Sequence, residues 1–302
     1  MKPTEKSLLF VYNPVSGKGQ ITDALGEIIV HFTRLGFRVT VHPTSKSGDG
    51  SEYIAANGTR YDVIAVGGGD GMLNEAVGAL LKLPKDARPP LAYLPAGSTN
   101  DFAATVGLPL DPLLAAKSLE GAGKRQIDAG TLNDSGFAYI AAFGAFTDVA
   151  YDTPQDFKNV FGHLAYILQG LASLPSIREH HVRVTHGGSV TEGDYIYGMV
   201  SNTRQVGGMR LADDKTVSLC DGLFEVLLIK PPKTPAELQT LLGALVGKTF
   251  NSECITAFMT NDVVFESDEP LPWTLDGEYG GETTVAHIVN HPLAYTLLLP
   301  RA

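Results

Sequence analysis

The chain has 302 residues, 44% of them apolar and 19% charged, with 23 Lys and Arg against 33 Asp and Glu and a formal net charge of −10. That length supplies material for two domains with buried cores, and the composition excludes disordered and fibrous classes. The acidic balance argues against nucleic acid held on a broad basic surface, so none is expected as a partner.

Ser7–Tyr12 is an apolar run closed by Asn13-Pro14 and reads as a buried strand. Ile21, Leu25, Ile28, Ile29, Phe32 and Leu35 recur at helical spacing, and Gly36 stops that helix. Phe37, Val39 and Val41 alternate as a strand, a short helix covers Glu52–Asn57, and Asp62–Val66 is another buried strand. A helix with Met72, Leu73, Ala76, Val77, Leu80 and Leu81 on one face follows Gly67–Gly71. Leu91–Leu94 is the next strand, and Asp111-Pro112 is an N-cap and N1 pair for one more helix. This alternation predicts an α/β domain with a doubly wound, mainly parallel sheet.

Past residue 130 short strand-like segments dominate: Phe137–Phe143, His181–Thr185, Tyr195–Val200, Leu223–Ile229, Val263–Glu266 and Ala294–Leu299. Gly and Asp-Gly turns separate them, which predicts a mainly antiparallel β-sandwich. Helical periodicity returns over Val160–Leu174 and over Pro235–Val246. The charge divides with the pattern: 13 basic and 13 acidic residues up to 130, then 10 basic and 20 acidic. The expected organisation is an α/β domain over 1–125, with 292–302 returning to it, and a β-rich domain over 126–291.

Cys220 and Cys254 form neither a disulfide framework nor a metal spacing. The apolar run at the N-terminus is too short for a secretory leader, and the charge-free stretch Asn159–Ile177 is broken by His163, Gln169 and Pro175. A cytoplasmic protein is expected.

Three loops follow predicted parallel strands, where such sheets bind ligands. They are Asn13–Gly19, Gly67–Asn74 and Pro95–Asp101. Glycines and small residues ahead of a helix let backbone N–H groups take phosphate oxygens, and Asp70 and Asp101 are suited to hold Mg²⁺ against them. None of the loops completes GxxxxGK[ST] or GxGxxG, and any one alone reads as an ordinary strand-to-helix turn. Together, with two of them carrying an acid, they favour a nucleotide site. In the β-rich domain Asp221-Gly222 and Asp276-Gly277 read as tight turns, and the eight histidines show no triad or zinc spacing.

With Asn13-Pro14, Ser16-Gly17, Gly68-Gly69-Asp70-Gly71, Leu73-Asn74-Glu75, Pro95, Gly97 and Asn100-Asp101-Phe102 in this order, the chain resembles the diacylglycerol kinase catalytic-domain family of lipid kinases, nearest its bacterial soluble members. Gly207–Ala212, Asp221-Gly222-Leu223-Phe224-Glu225-Val226 and Leu275–Gly281 match the second-domain motifs of that family. The resemblance implies that Asn13, Pro14, Val15, Ser16, Gly17, Lys18, Thr44, Gly68, Gly69, Asp70, Gly71, Met72, Leu73, Asn74, Glu75, Gly97, Ser98 and Asn100 bind ATP. It implies that Asp70 and Asp101 organise a catalytic Mg²⁺, and that Asp221, with Ser218 and Leu223, holds a structural one. Glu278 is implied as the general base toward a lipid hydroxyl, the 126–291 domain as the lipid-substrate domain, and a homodimer as the assembly. Met72 and Ser98 stand where the family usually has Thr. The expected product is phosphatidic acid from diacylglycerol. Kinases of sphingoid bases, ceramide or monoacylglycerol, an NAD kinase-like enzyme, and a non-catalytic nucleotide-binding module stay as alternatives. No polybasic cluster is present, so any contact with the inner membrane face is expected to be peripheral and transient.

Overall fold

The structure, a computed structural model, describes residues 6–144, 178–202, 205–206, 209–210, 218–247 and 252–301. The chain divides into two compact units, one of residues up to Ala129 and from Leu293 onward, the other from Gly130 to Pro292.

In the first unit β1 (Lys6–Tyr12), α1 (Gln20–Arg34), β2 (Phe37–Pro43), α2 (Asp49–Asn57), β3 (Val63–Gly68), α3 (Asp70–Lys82), β4 (Leu91–Pro95), α4 (Asp101–Val106) and α5 (Pro112–Lys117) follow in turn. The four strands pair in parallel in the order β4-β3-β1-β2, and the last strand of the chain lies parallel beside β4 with Leu297 opposite Leu91. Leu8, Leu9, Phe10 and Val11 are all fully buried, as a parallel strand covered on both faces requires; β2 at the sheet edge is mostly half-buried. Phe10, Ala65 and Leu94 pack against Ile21, Ile28 and Phe32 of α1 and Ala115 and Ala116 of α5. Gly36, with φ 88°, ends the α1 segment in the left-handed region that glycine enters at no steric cost. Asp111 caps α5, accepting the Leu114 N–H at 2.8 Å.

The second unit is mainly β. From β5 (Gly123–Leu132), which carries residues of both units, the chain runs through β6 (Ser135–Phe137), β7 (Ile140–Gly144), β8 (His180–His186), β9 (Ser189–Tyr195) and β10 (Tyr197–Ser201). The short β11 (Gln205–Val206) and β12 (Met209–Arg210) pair with each other. Then come β13 (Phe224–Ile229), α6 (Pro235–Gly247), β14 (Ile255–Thr260), β15 (Asp262–Leu275) and β16 (Glu278–Leu299), whose end is the strand beside β4. Neighbours run antiparallel in the order β14-β13-β10-β7-β15-β16, while β8 pairs with the first half of β15 and β9 with β8. The sandwich core centres on Trp273, whose ring centroid lies 5.0 Å from Phe143 and 5.2 Å from Phe265. Phe143 lies across Gly198, where a Cβ would stand 2.2 Å from its ring.

Several predicted strands differ from the observed ones. Phe137–Phe143 is two strands, because the N–H groups of Ala138, Tyr139 and Ile140 turn toward the Asp276 carboxylate. Tyr195–Val200 breaks at Ile196, which separates β9 from β10. Val263–Glu266 continues to Leu275: a register shift between Glu266 and Leu271 takes up Pro270, Pro272 pairs in register with Glu282, and a second shift falls between Trp273 and Thr274. The helix expected over Val160–Leu174 lies outside the described residues, as does most of the Gly207–Ala212 motif. Among the described residues no helix is long and apolar enough to cross a membrane.

Candidate active site

The order β4-β3-β1 sets the loops leaving these three strands side by side. The Asn13 N–H donates to Gly67 O at 2.9 Å and the Ala96 N–H to Gly68 O at 2.8 Å, so the ladder holds each loop at its root. In the first loop Asn13 Oδ1 accepts the Val15 N–H at 3.0 Å, and the Thr22 hydroxyl donates to Pro14 O at 2.9 Å. Gly17 and Lys18 are left-handed, and a Cβ on Gly17 would lie 2.5 Å from Ala96 O. First and third loops therefore approach each other only because position 17 lacks a side chain. The second and third meet likewise, for a Cβ on Gly97 would stand 2.6 Å from Gly69 Cα. Val15 and Lys18 are exposed, Ser16 half-buried and Ser98 exposed.

Where the loops meet, Asp70 Oδ2 accepts the Thr99 hydroxyl and the Asp101 N–H, both at 3.3 Å. Asp70 and Asp101 are thus brought together, and Asp101 is buried. The Asp70 carboxylate beside the Thr99 hydroxyl offers hard oxygens of the kind Mg²⁺ takes next to phosphate, and Asp101 carries a second acid on the adjoining loop. The Asn100 amide closes its own loop, accepting the Gly97 N–H at 2.7 Å and donating to Gly97 O at 2.9 Å. The Thr44 N–H donates to Tyr12 O at 2.9 Å, extending the β1–β2 pairing to the edge of the same loops.

Other expected nucleotide residues face the body of the unit. Leu73 is fully buried, and Met72 packs against the first turn of α2, where a Cβ on Gly50 would meet its Cε. The Glu75 carboxylate accepts the N–H groups of Gly48 at 2.8 Å and Ser51 at 3.2 Å. Two residues that the motifs did not single out also matter. Thr99, beside the predicted donor Ser98, is the hydroxyl on Asp70. Asp128 of β5 is fully buried and accepts the Leu293 N–H at 2.7 Å; a lone acid between Ile127 and Ala129 was its only sequence signal.

In the second unit Asp221 is exposed in the turn before β13, and its Oδ1 accepts the Leu223 N–H at 3.0 Å. Ser218 and Leu223 flank it, half-buried. Among the described residues no three His, Cys, Asp or Glu side chains gather as a metal cluster, so a cation here would need backbone carbonyls beside Asp221. Glu225 follows on β13. Both its carboxylate oxygens are buried without a hydrogen-bond partner among the described residues, and burial, with the Asp221 charge adding, pushes its carboxyl up to about 8.

Asp276 and Gly277, with φ 51° and 86°, make the two-residue turn between β15 and β16. Asp276 does more than turn the chain. It is 3% exposed, and its carboxylate accepts the N–H groups of Ala138 at 2.6 Å, Tyr139 at 2.9 Å and Ile140 at 3.0 Å. Glu278, the next residue but one, is exposed at the start of β16 opposite Leu275.

Residues 7–132 match the family model of the diacylglycerol kinase catalytic domain, and residues 143–299 match the YegS C-terminal NAD kinase beta sandwich-like domain. The chain is similar to a diacylglycerol kinase of Bacillus subtilis (strain 168), 35% identical over 279 residues that cover 91% of each chain. It is also similar to one of Staphylococcus carnosus (strain TM300), 31% identical over 296 residues, 96% of this chain and 95% of that one. A crystal structure of a diacylglycerol kinase from Bacillus anthracis str. Sterne shares the fold, with a TM-score of 0.76 and 24% identity over 99% of this chain and 98% of that chain. The likeness runs through both units, and the chain belongs to the diacylglycerol kinase family.

Proposed function

We propose that this chain is an ATP-dependent lipid kinase that transfers the γ-phosphate of ATP to the hydroxyl of diacylglycerol, giving phosphatidic acid. One observation carries the reading: three strand-end loops meet through Gly17, Gly69 and Gly97, with Asp70 bonded to Thr99 and Asp101, in a chain whose relatives are named diacylglycerol kinases. Backbone N–H groups of the loops and the Lys18 ammonium receive the phosphates. Asp70 and Asp101 are the residues that would hold Mg²⁺, which when bound neutralises phosphate charge. Asp221, with carbonyls of Ser218 and Leu223, would hold a second, structural Mg²⁺.

Glu278 accepts the proton of the acceptor hydroxyl as that oxygen bonds to the γ-phosphorus and the bond to the β–γ bridging oxygen breaks, releasing ADP. Asp276 supports this role by pinning the turn from which Glu278 projects. The protein works as a cytoplasmic homodimer that touches the inner membrane face only briefly. A net charge of −10 without a polybasic cluster supports brief contact, since each Lys or Arg near an anionic surface adds about 1 kcal/mol.

The reading is tested by transfer of labelled γ-phosphate from ATP to a panel of diacylglycerol, monoacylglycerol, sphingosine, ceramide and NAD. Diacylglycerol is expected to be the best acceptor. Transfer to no lipid overturns the reading, and preference for another alcohol reassigns the substrate.

A further inference from the structure

We infer that Asp49 and Glu75 are positioning residues that fix the β2–α2 loop, with Thr44 in it, as one wall of the nucleotide site. The inference rests on the kinase reading above and adds to it how that wall is held. The loop Thr44-Ser45-Lys46-Ser47-Gly48 is small and polar and has no apolar anchor of its own. The helix after it starts from Gly48 at φ 81°, and no side chain of that residue caps it. Glu75 supplies the cap from α3, with Oε1 on the Gly48 N–H and Oε2 on the Ser51 N–H. A carboxylate at a helix N-terminus also meets the positive end of the helix dipole. The approach depends on Gly50, where a Cβ would stand 2.8 Å from Glu75 Oε2.

Asp49 holds the loop from the other side. Its Oδ2 accepts the Ser45 N–H at 2.7 Å and the Ser45 hydroxyl at 2.9 Å, and its Oδ1 lies 3.0 Å from His42 Nε2. The His42 ring stacks on Tyr53 of α2, with centroids 3.8 Å apart. The Ser45 N–H first, and His42 after it, draw the Asp49 carboxyl down to about 2, so the clamp stays charged near neutral pH. Thr44 is therefore held through its own N–H on Tyr12 O and through its neighbour Ser45 on Asp49. The same α3 that begins at Asp70 carries Glu75, so one helix links the acid-bearing loop to the Thr44 wall. A wall set before binding lowers the ordering cost when nucleotide arrives. Its loss should weaken nucleotide binding and spare the chemical step.

The test uses the full chain. Asp49→Asn and Glu75→Gln are compared with wild type for KM of ATP, KM of diacylglycerol, kcat and calorimetric Kd of ADP. Asp49→Asn is expected to raise the ATP KM and the ADP Kd about three- to tenfold, with kcat and the lipid KM within about twofold. Glu75→Gln is expected to weaken ADP by a similar factor. The double variant should fall short of the product of the two, because both residues hold one loop. An unchanged ATP KM and ADP Kd in Asp49→Asn, even with a lower Tm, overturns the inference. A loss spread equally over kcat and both substrates does the same. If Glu75→Gln does not fold, Asp49→Asn decides alone. Failure of the kinase reading looks different: wild type then transfers phosphate to no lipid, while the ADP titration still reads the clamp.

Discussion

The carboxylates of the α/β unit and those of the β-rich unit are arranged on opposite plans. In the first, three acids are tied to backbone N–H groups: Asp70 to Asp101, Glu75 to Gly48 and Ser51, Asp49 to Ser45. In the second, the acid that shapes the turn and the acid proposed as the base are different residues two positions apart. Asp276 is buried under three backbone N–H donors, and Glu278 stands exposed at the end of the same turn. A carboxylate committed to several donors makes a rigid frame and a poor proton acceptor; one left at the surface keeps its lone pairs for a substrate. On the proposed function, the nucleotide side is a preformed cradle and the acceptor side one available base on a pinned turn.

Four tests break or sharpen that contrast. The largest loss is expected for Asp70→Asn or Asp101→Asn, about a thousandfold in phosphoryl transfer, because charge neutralisation at the phosphates supplies most of the rate. Initial rates at saturating ATP and lipid check it, and a loss below tenfold contradicts the cradle. Next, Asp276→Ala strands three buried N–H groups and should cost about 3–5 kcal/mol in a urea titration. A cost under about 1 kcal/mol denies its framing role.

Glu225 sets a third test, through pH. Its carboxyl is pushed up to about 8 in the folded state, so an unfolded chain ionises first, and folded stability falls as pH rises from about 4.5 toward 8. Glu225→Gln removes that penalty. In chelator, the advantage of the variant should widen by about 2–3 kcal/mol between pH 5 and pH 8.5. A constant gap contradicts the buried acid. The smallest effect belongs to Asp221→Asn, expected to lower activity about threefold at limiting Mg²⁺ and to recover when Mg²⁺ is raised. An unaltered Mg²⁺ dependence removes the structural site.

The α/β unit was legible because its signals are local. Buried parallel strands are continuous apolar runs such as Leu8–Val11, and a loop packed closely against its neighbours needs glycines, as Gly67, Gly68 and Gly69 show. Distant partners hid the rest. Nothing near Ala138 announces a strand break, since the acceptor that turns its N–H is 138 residues away in Asp276. Ser189–Tyr195 is a largely exposed polar strand whose pairing with β8, and not its own pattern, makes it β. Pro270 and Pro272 end the apolar pattern of β15, yet a register shift carries the strand past Pro270 and Pro272 pairs in register with Glu282. Glu75 stood inside the nucleotide motif, and only the fold reveals that its carboxylate belongs to α2. Glu278 carries no mark of its own beyond the turn before it; family likeness alone singled it out.

The most direct measurement pairs two readings on one sample of Glu278→Gln: the Kd for ADP and the rate of phosphatidic acid formation from diacylglycerol and ATP. If the cradle and the base are separate, ADP affinity stays within about twofold of wild type while the rate falls about a hundredfold or more. A variant that forms phosphatidic acid at close to the wild-type rate would contradict the assignment of the base, and with it the division of labour between the two units.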